Sequence, residues 1–189
     1  MDLGLDGRTA VVCASSQGLG RGCATELARA GCTVVINGRD AAKLERTAEE
    51  IRQETGATVI PVAVDLNITS ASVKQPLPGL DLSSGARAGL TGFLAGVARI
   101  VAHANVTINF LLPGSFATPR MQSIQEGAPQ QQGVSAEVVA EHVRASIPAK
   151  RFGTPAEFGA ACAFLCAAGS GFITGQSLLI DGGAYPGIL

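Results

Sequence analysis

The sequence predicts an α/β fold, a doubly wound parallel sheet with helices on both faces in three layers. Three observations carry that expectation. Short β-branched runs alternate with amphipathic helical segments along the first third of the chain; the joints between them are short; and one joint, after the first run, is rich in glycine. A chain of 189 residues suits one domain with a sizeable core, so residues 1–189 are expected to form a single unit.

Each element follows in order. "TAVVCA", Thr9 to Ala14, is a β-branched run ending in small residues, and it predicts a strand buried on both faces. A glycine-containing turn leads into "RGCATELARAG", helical to Ala30 and closed by Gly31. "TVVIN" is the second strand. Asp40 caps "AAKLERTAEEIRQETG", which puts Leu44, Ala48 and Ile51 on one face and stops at Gly56. "TVIPVAV" is the third strand, completing a right-handed βαβαβ unit over residues 1–65. In residues 66–189, "ARAGLTGFLAGVARIVAHA" reads as a helix and "VTINFLL" as a buried strand. "PGSFATPRMQSIQEGAPQQQGVS" reads as a long polar loop and "AEVVAEHVRASI" as a short amphipathic helix. "TPAEFGAACAFLCAAG" opens with Thr154 at the N-cap, Pro155 at the first helical position and Glu157 where a capping box needs it. "SLLID" and a Gly-Gly turn close the chain.

Composition excludes several classes. A net charge of −1 with scattered Lys and Arg argues against a nucleic-acid face or an anionic-membrane patch. Five cysteines without CxxC spacing, and two histidines distant from them, predict no metal site; they read as small apolar residues in a reducing compartment. The opening residues carry no basic segment followed by a long apolar run, and the apolar region from Leu90 to Ile108 is interrupted by Arg99 and His103. A cytoplasmic chain is expected.

The glycine-rich joint is "CASSQGLGRG". Gly18 and Gly20 let the backbone approach a pyrophosphate, and the helix that follows offers its first N–H groups to the anion. Its place between a buried strand and a helix is the context such a motif requires. From Ala14 it reads A-x-x-x-G-x-G and resembles the T-G-x-x-x-G-x-G turn of the short-chain dehydrogenase/reductase family, with Cys13 and Ala14 where that family has Thr and Gly. Ala14 adds one methyl on the cofactor side. Asp65 ends the third strand, where the family's Asp meets the adenine ring. "NFLLPGSFAT" resembles the N-x-x-x-P-G-x-x-x-T segment beneath the nicotinamide. "RFGTPAEFGAACAFLC…GFITGQSLLIDGG" is similar to the C-terminal signature of 3-oxoacyl-(acyl-carrier-protein) reductases.

The resemblance covers nearly all of the chain. It implies a Rossmann-type sheet, with residues 113–147 as the substrate-loop region, and a small-molecule carbonyl or acyl-thioester substrate. The cofactor-binding positions it implies are Ala14, Ser16, Gln17, Gly18, Leu19, Gly20, Asn37, Arg39, Asp65, Arg87, Pro113, Gly114 and Thr118. At the end of the second strand an acidic residue would hold a ribose 2′-hydroxyl, whereas an Arg accommodates a 2′-phosphate. Here Asn37 and Gly38 precede Arg39, so NADP(H) is favoured over NAD(H).

The family's chemistry uses a Ser, a Tyr and a Lys. "NITSASVK" resembles the strand bearing the Ser, which falls on Ser70. "SSGARAGLTGF" resembles the helix start Y-x-x-x-K-x-A-x-x-x-F, with Ser83 at the Tyr position and Arg87 at the Lys position. A phenol can be brought toward the working pH by a neighbouring cation, but an aliphatic hydroxyl ionises far less readily. Ser83 can donate a hydrogen bond yet relays protons poorly, and Arg87 stays protonated. Two functions remain open: an NADP(H)-dependent reductase using Ser70, Ser83 and Arg87, or a nucleotide-binding relative without turnover in a scaffold or regulatory role.

Gly85, Gly89, Gly92 and Gly96 form a smooth stripe on the same helix, Ala86 to His103. In the family this helix meets its mate, which implies a homo-oligomer; tight packing on the chain's own sheet is the alternative. The junction "VAVDLNITSASVK" is anomalous, since two strand signals meet with no helix between. In the strand order 3-2-1-4-5-6 the strands ending at Asp65 and bearing Ser70 lie on the order of 25 Å apart end to start, and one or two residues reach only about 7 Å. The resemblance says that a helix, the central fourth strand and flanking helices belong there. An abrupt Cα–Cα gap at Asp65–Leu66 or Leu66–Asn67 is therefore expected.

Overall fold

The computed structural model describes residues 2–63, 81–127 and 135–187. The N-terminal half runs β1 (Thr9–Val12), α1 (Gly18–Arg29), β2 (Thr33–Gly38), α2 (Ala41–Thr55) and β3 (Val59–Ala63). After it come α3 (Asp81–Val101), β4 (Phe110–Pro113), α4 (Pro119–Gly127), α5 (Ala136–Ser146), α6 (Pro155–Cys166) and β5 (Ser177–Ile180). The expected gap at Asp65–Leu66 or Leu66–Asn67 lies outside the described residues, as do Asp65 and Ser70.

All strand pairs are parallel. β1 pairs with β2 from Thr9↔Thr33 to Val12↔Ile36, and β2 pairs with β3 from Val34↔Val59 to Gly38↔Ala63. β4 pairs with β5 from Phe110↔Ser177 to Pro113↔Ile180. The described strands thus form two sheets, β1-β2-β3 and β4-β5, with no pairing between β1 and β4. The α/β class expected from the sequence is present, and its sheet is split where the central strand would lie.

The helix signals correspond to real caps. Asp40 accepts the Lys43 N–H at 3.0 Å, and α2 ends on Gly56 at φ 72°. Thr154 and Glu157 form the reciprocal capping box of α6. Leu44, Ala48 and Ile51 of α2 are fully buried beside Val34 and Ile36 of β2, with Ala24, Leu27 and Ala28 of α1 and Ala163 of α6 completing the core. The two halves are joined by α1 against α6, where the backbones touch. A Cβ on Gly22 would sit 2.2 Å from the Pro155 carbonyl oxygen, and one on Gly159 2.3 Å from that of Gly22.

Two expectations are corrected. β1 is not buried on both faces: Val11 is 65% exposed, and Ile60 and Val62 of β3 are exposed too. The cause is one-sided coverage, since the core residues of α1, α2 and α6 gather on one face of this sheet. The stretch read as a long polar loop contains a helix, α4, which Thr118 starts by accepting the Met121 N–H on its hydroxyl and the Gln122 N–H on its carbonyl. Of the two readings of the α3 glycine stripe, packing on the chain's own sheet is not seen among the described residues, where a Cβ on Gly85, Gly89, Gly92 or Gly96 would meet nothing within 4 Å.

Candidate nucleotide site

The glycine-rich turn is built from inside. Asn37, 2% exposed at the end of β2, accepts the Ala14 N–H on its side-chain oxygen at 2.8 Å. Its carbonyl accepts the Ser15 N–H at 2.8 Å, and the Ser15 hydroxyl accepts the Asn37 N–H at 3.0 Å while donating to the Val12 carbonyl at 2.6 Å. The Thr47 hydroxyl of α2 donates to the Ser16 carbonyl at 2.9 Å. Asn37 and Ser15 therefore brace the turn from below; Asn37 meets any ligand through that turn, because its side chain is already engaged.

Backbone geometry explains the residue choices. Gly18 lies at φ 58°, in the left-handed region where only glycine is at ease. A Cβ on Gly20 would lie 2.4 Å from the Ala14 carbonyl oxygen, so no side chain fits there. Ala14 itself is held at φ 49°, the conformation for which the family pattern has glycine.

The start of α1 differs from those of α2, α5 and α6. α2, α5 and α6 each have a capping side chain, from Asp40, Ser135 and Thr154. At α1 the N-cap is Gln17, with no side-chain cap and no acidic residue in the first turn. Its first N–H groups and the positive end of the helix dipole thus face outward beside Gly18 and Leu19, a cradle that fits a pyrophosphate. Leu19 packs inward on the cluster of Cys23, Phe116 and Phe158.

Where β2 leads into α2, Arg39 is exposed and Lys43 donates to the Gln17 side-chain oxygen of the glycine-rich turn. Lys43 was missed in the sequence because it read only as a helix position. Three residues after the Asp40 cap, it stands on the first turn of α2 facing the glycine-rich turn, and it is the second basic group beside Arg39.

The second half of the site comes from the end of β4. Pro113 is its last residue, and Gly114 follows with its N–H on the Ile180 carbonyl at 2.9 Å. A Cβ on Gly114 would lie 2.5 Å from the Asp181 Cβ, so the glycine allows this segment to lie against the end of β5. Phe116 then anchors it, meeting Phe158 edge to face at 5.4 Å between ring centres. Thr118 arrives against the glycine-rich turn, its methyl 3.6 Å from where a Gly18 Cβ would stand. Positions more than ninety residues apart in sequence are thus brought together as the motifs require.

Of the positions the resemblance assigns to catalysis, Ser83 and Arg87 are described and Ser70 is not. The Arg87 Nε donates to the Ser83 Oγ at 3.0 Å, one turn apart on α3. Neither core cluster takes a residue from α3, whose only buried residue is Ala98. Tyr185, the one tyrosine, follows β5 with its N–H on the Asp181 carboxylate at 2.7 Å, so it is tethered at the same strand ends as Gly114. A cavity of about 660 Å³ lies at the opposite ends of the strands. Arg8 before β1, residues from Asn105 to Leu111 entering β4, and the end of α6 line it. It occupies the split between the sheets rather than the nucleotide site.

Comparison with known proteins agrees with this layout. Residues 8–67 match the family model described as short chain dehydrogenase, and residues 65–185 match enoyl-(acyl carrier protein) reductase. The acetoacetyl-CoA reductase of Cupriavidus necator is 34% identical over 122 residues, 65% of this chain and 45% of that protein. The 3-oxoacyl-(acyl-carrier-protein) reductase FabG of Aquifex aeolicus is 22% identical over 259 positions, covering 98% of this chain and all of that protein. The chain spans about half the length of the first curated relatives it matches. Among solved structures, the L-sorbose reductase of Gluconobacter frateurii complexed with NADPH and L-sorbose superposes with a TM-score of 0.92 at 21% identity, over 100% of both chains. That likeness shows the fold.

Proposed function

This chain belongs to the short-chain dehydrogenase/reductase family, and from that premise we propose that it binds NADP(H) and interconverts a carbonyl and a hydroxyl on a 3-oxoacyl-thioester-like substrate. The observation that carries the nucleotide reading is the uncapped start of α1 over the Gly18–Gly20 turn, with Thr118 closing on Gly18. The 2′-phosphate preference rests on Arg39 and Lys43 flanking the ribose side, with no carboxylate at Asn37 or Gly38. The NADPH carried by the L-sorbose reductase structure supports the same preference. Ala14, Ser16, Gln17, Gly18, Leu19 and Gly20 would hold the pyrophosphate, Asp65 the adenine, and Pro113, Gly114 and Thr118 the nicotinamide side.

When bound, the nicotinamide supplies the hydride chemistry; the chain must supply the proton and hold the oxygen. Ser70 and Ser83 are assigned to holding it, with Arg87 giving positive charge. The Arg87–Ser83 hydrogen bond favours a second reading, a relative impaired in turnover with a scaffold or regulatory role. It ties the two replaced positions to each other, and a guanidinium beside an aliphatic hydroxyl makes a poor proton relay. NADPH fluorescence separates these readings when run beside oxidation with an acetoacetyl thioester. Binding with turnover supports the reductase, binding without turnover supports the impaired relative, and absence of binding overturns both.

The reading includes a cytoplasmic location and self-association through the Ala86–His103 helix. No described helix is long and apolar enough to cross a membrane. On α3, Leu82, Leu90, Phe93 and Ile100 are exposed along one side beside the glycine stripe, which leaves a smooth apolar face. Light scattering on Gly92→Arg tests it: an oligomeric wild type that dissociates in the variant supports this interface, and an unchanged mass overturns it. We also read the junction at Asp65 as a deletion. The two family matches meet there, and the Aquifex alignment needs 259 positions for 189 residues.

A further inference from the structure

Three of the five cysteines converge on the contact between α1 and α6. Cys23 follows Gly22, the residue whose carbonyl touches Gly159, and Cys162 lies three positions beyond Gly159 on the same face of α6. Cys166 lies one turn further on. Cys162 packs against the small core cluster that holds Cys23, Phe116 and Phe158. Cys23 is 6% exposed, Cys162 half-buried and Cys166 exposed. Cys162 and Cys166 both line the 660 Å³ cavity between the sheets, so small solutes reach the chain from that side.

We propose that Cys23 and Cys162 are a modification site, a thiol pair that a peroxide entering the cavity converts to a disulfide joining α1 to α6. Geometry selects this pair. Cβ atoms one turn apart on a helix stand about 5–6 Å apart, wider than the roughly 3.5–4.5 Å a disulfide spans, which disfavours Cys162–Cys166. Across α1 and α6 the backbones are in contact at Gly22 and Gly159, which stand just before Cys23 and one turn before Cys162, and Cys162 packs on the cluster that holds Cys23. Electrostatics agrees in direction. The hydrogen bond from Cys162 holds the Cys23 thiol below its ordinary range against the opposing effect of burial. Cys166's hydrogen bond pulls Cys162 down, but its own donation to Cys23, burial and the neighbouring sulfur charge together push it up to about 12. Of the two thiols, Cys23 is thus the easier to ionise.

The step balances. As the Cys162 proton passes along its hydrogen bond to the Cys23 thiolate, the Cys162 sulfur attacks the peroxide, forming a sulfenic acid and releasing hydroxide. That hydroxide takes the Cys23 proton to become water. Cys23 sulfur then attacks the sulfenic sulfur, the S–S bond forms and hydroxide leaves. The two sulfurs lose two electrons and the O–O bond accepts them.

The test uses the full chain, reduced, desalted and exposed to hydrogen peroxide, then blocked with N-ethylmaleimide. The expected product loses about 2 Da in intact mass before blocking and regains it with dithiothreitol. Tryptic digestion should yield the peptide 22–29 linked to 152–189. Since that second peptide holds both Cys162 and Cys166, variants decide between them: Cys166→Ser should still cross-link and Cys162→Ser should not. Cross-linking through Cys166 in the Cys162→Ser variant at the wild-type rate would overturn the assignment. So would sulfinic acid at Cys162 with no cross-link in wild type. Circular dichroism checks that each variant folds, and fragmentation of the wild-type peptide locates the bond independently of any variant.

Discussion

Ala14 carries a conformation its side chain resists. At φ 49° it is in the left-handed region, held there by the Asn37 side chain on its N–H. Strain of about 1–2 kcal/mol is expected for a non-glycine residue, offset in part by the entropy a glycine would lose on folding. Ala14→Gly should therefore raise stability by about 0.5–1 kcal/mol, read as a higher urea midpoint, and tighten NADPH binding by removing a methyl from the pyrophosphate side. Glu157 makes a second residue-scale prediction. The Arg151 guanidinium, then the Thr154 N–H and hydroxyl, lower its carboxyl from the ordinary 4.5 to about 2. A depressed carboxylate contributes stability that is fully present above 4.5 and lost as pH falls through about 2. Melting curves from pH 6 to 2 should show wild type and Glu157→Gln converging at the acid end, with the difference constant above about pH 5.

At the scale of elements, glycines divide by what surrounds them. In α1 and α6, Gly22 and Gly159 are the contact itself. Gly159→Ala places a Cβ 2.3 Å from the Gly22 carbonyl oxygen, so the helices must separate, and a loss of about 2–3 kcal/mol is expected in thermal or urea unfolding. In α3 the opposite holds. Gly92→Ala meets open space, so only helix propensity acts, and the isolated subunit should gain about 1 kcal/mol. Spacing in the sequence marked the α3 stripe, whereas nothing local distinguished Gly22 or Gly159. Their role depends on where two helices distant in sequence happen to cross.

For the whole molecule, the decisive feature is the split sheet. Among the described strands, β1 pairs only with β2 and β4 only with β5, Val11 is 65% exposed, and a cavity of about 660 Å³ opens between the halves. Apolar area on a central strand is normally buried, so the native protein should bind 1-anilinonaphthalene-8-sulfonate while keeping its near-ultraviolet circular dichroism. Val11→Thr should reduce the dye signal while shifting stability by less than about 0.5 kcal/mol. A dye signal that appears only with loss of tertiary structure would contradict this.

Element order, the caps at Asp40 and Thr154, the stops at Gly31 and Gly56 and the glycine-rich turn were legible because each rests on local chemistry. A cap, a left-handed glycine or a periodic apolar face acts within a few residues. The helix α4 was not legible, because a polar stretch with no apolar period carries no signal of its own. Tertiary structure alone decided the rest. It set Asn37, a cofactor-binding position in the sequence reading, as the internal brace of the turn, put Lys43 beside Gln17, and closed Thr118 on Gly18 across the two halves. It also left β1 exposed and set three cysteines in a row between α1 and α6. Each of these is a contact between segments distant in sequence, and such contacts exist only once the helices and strands have packed.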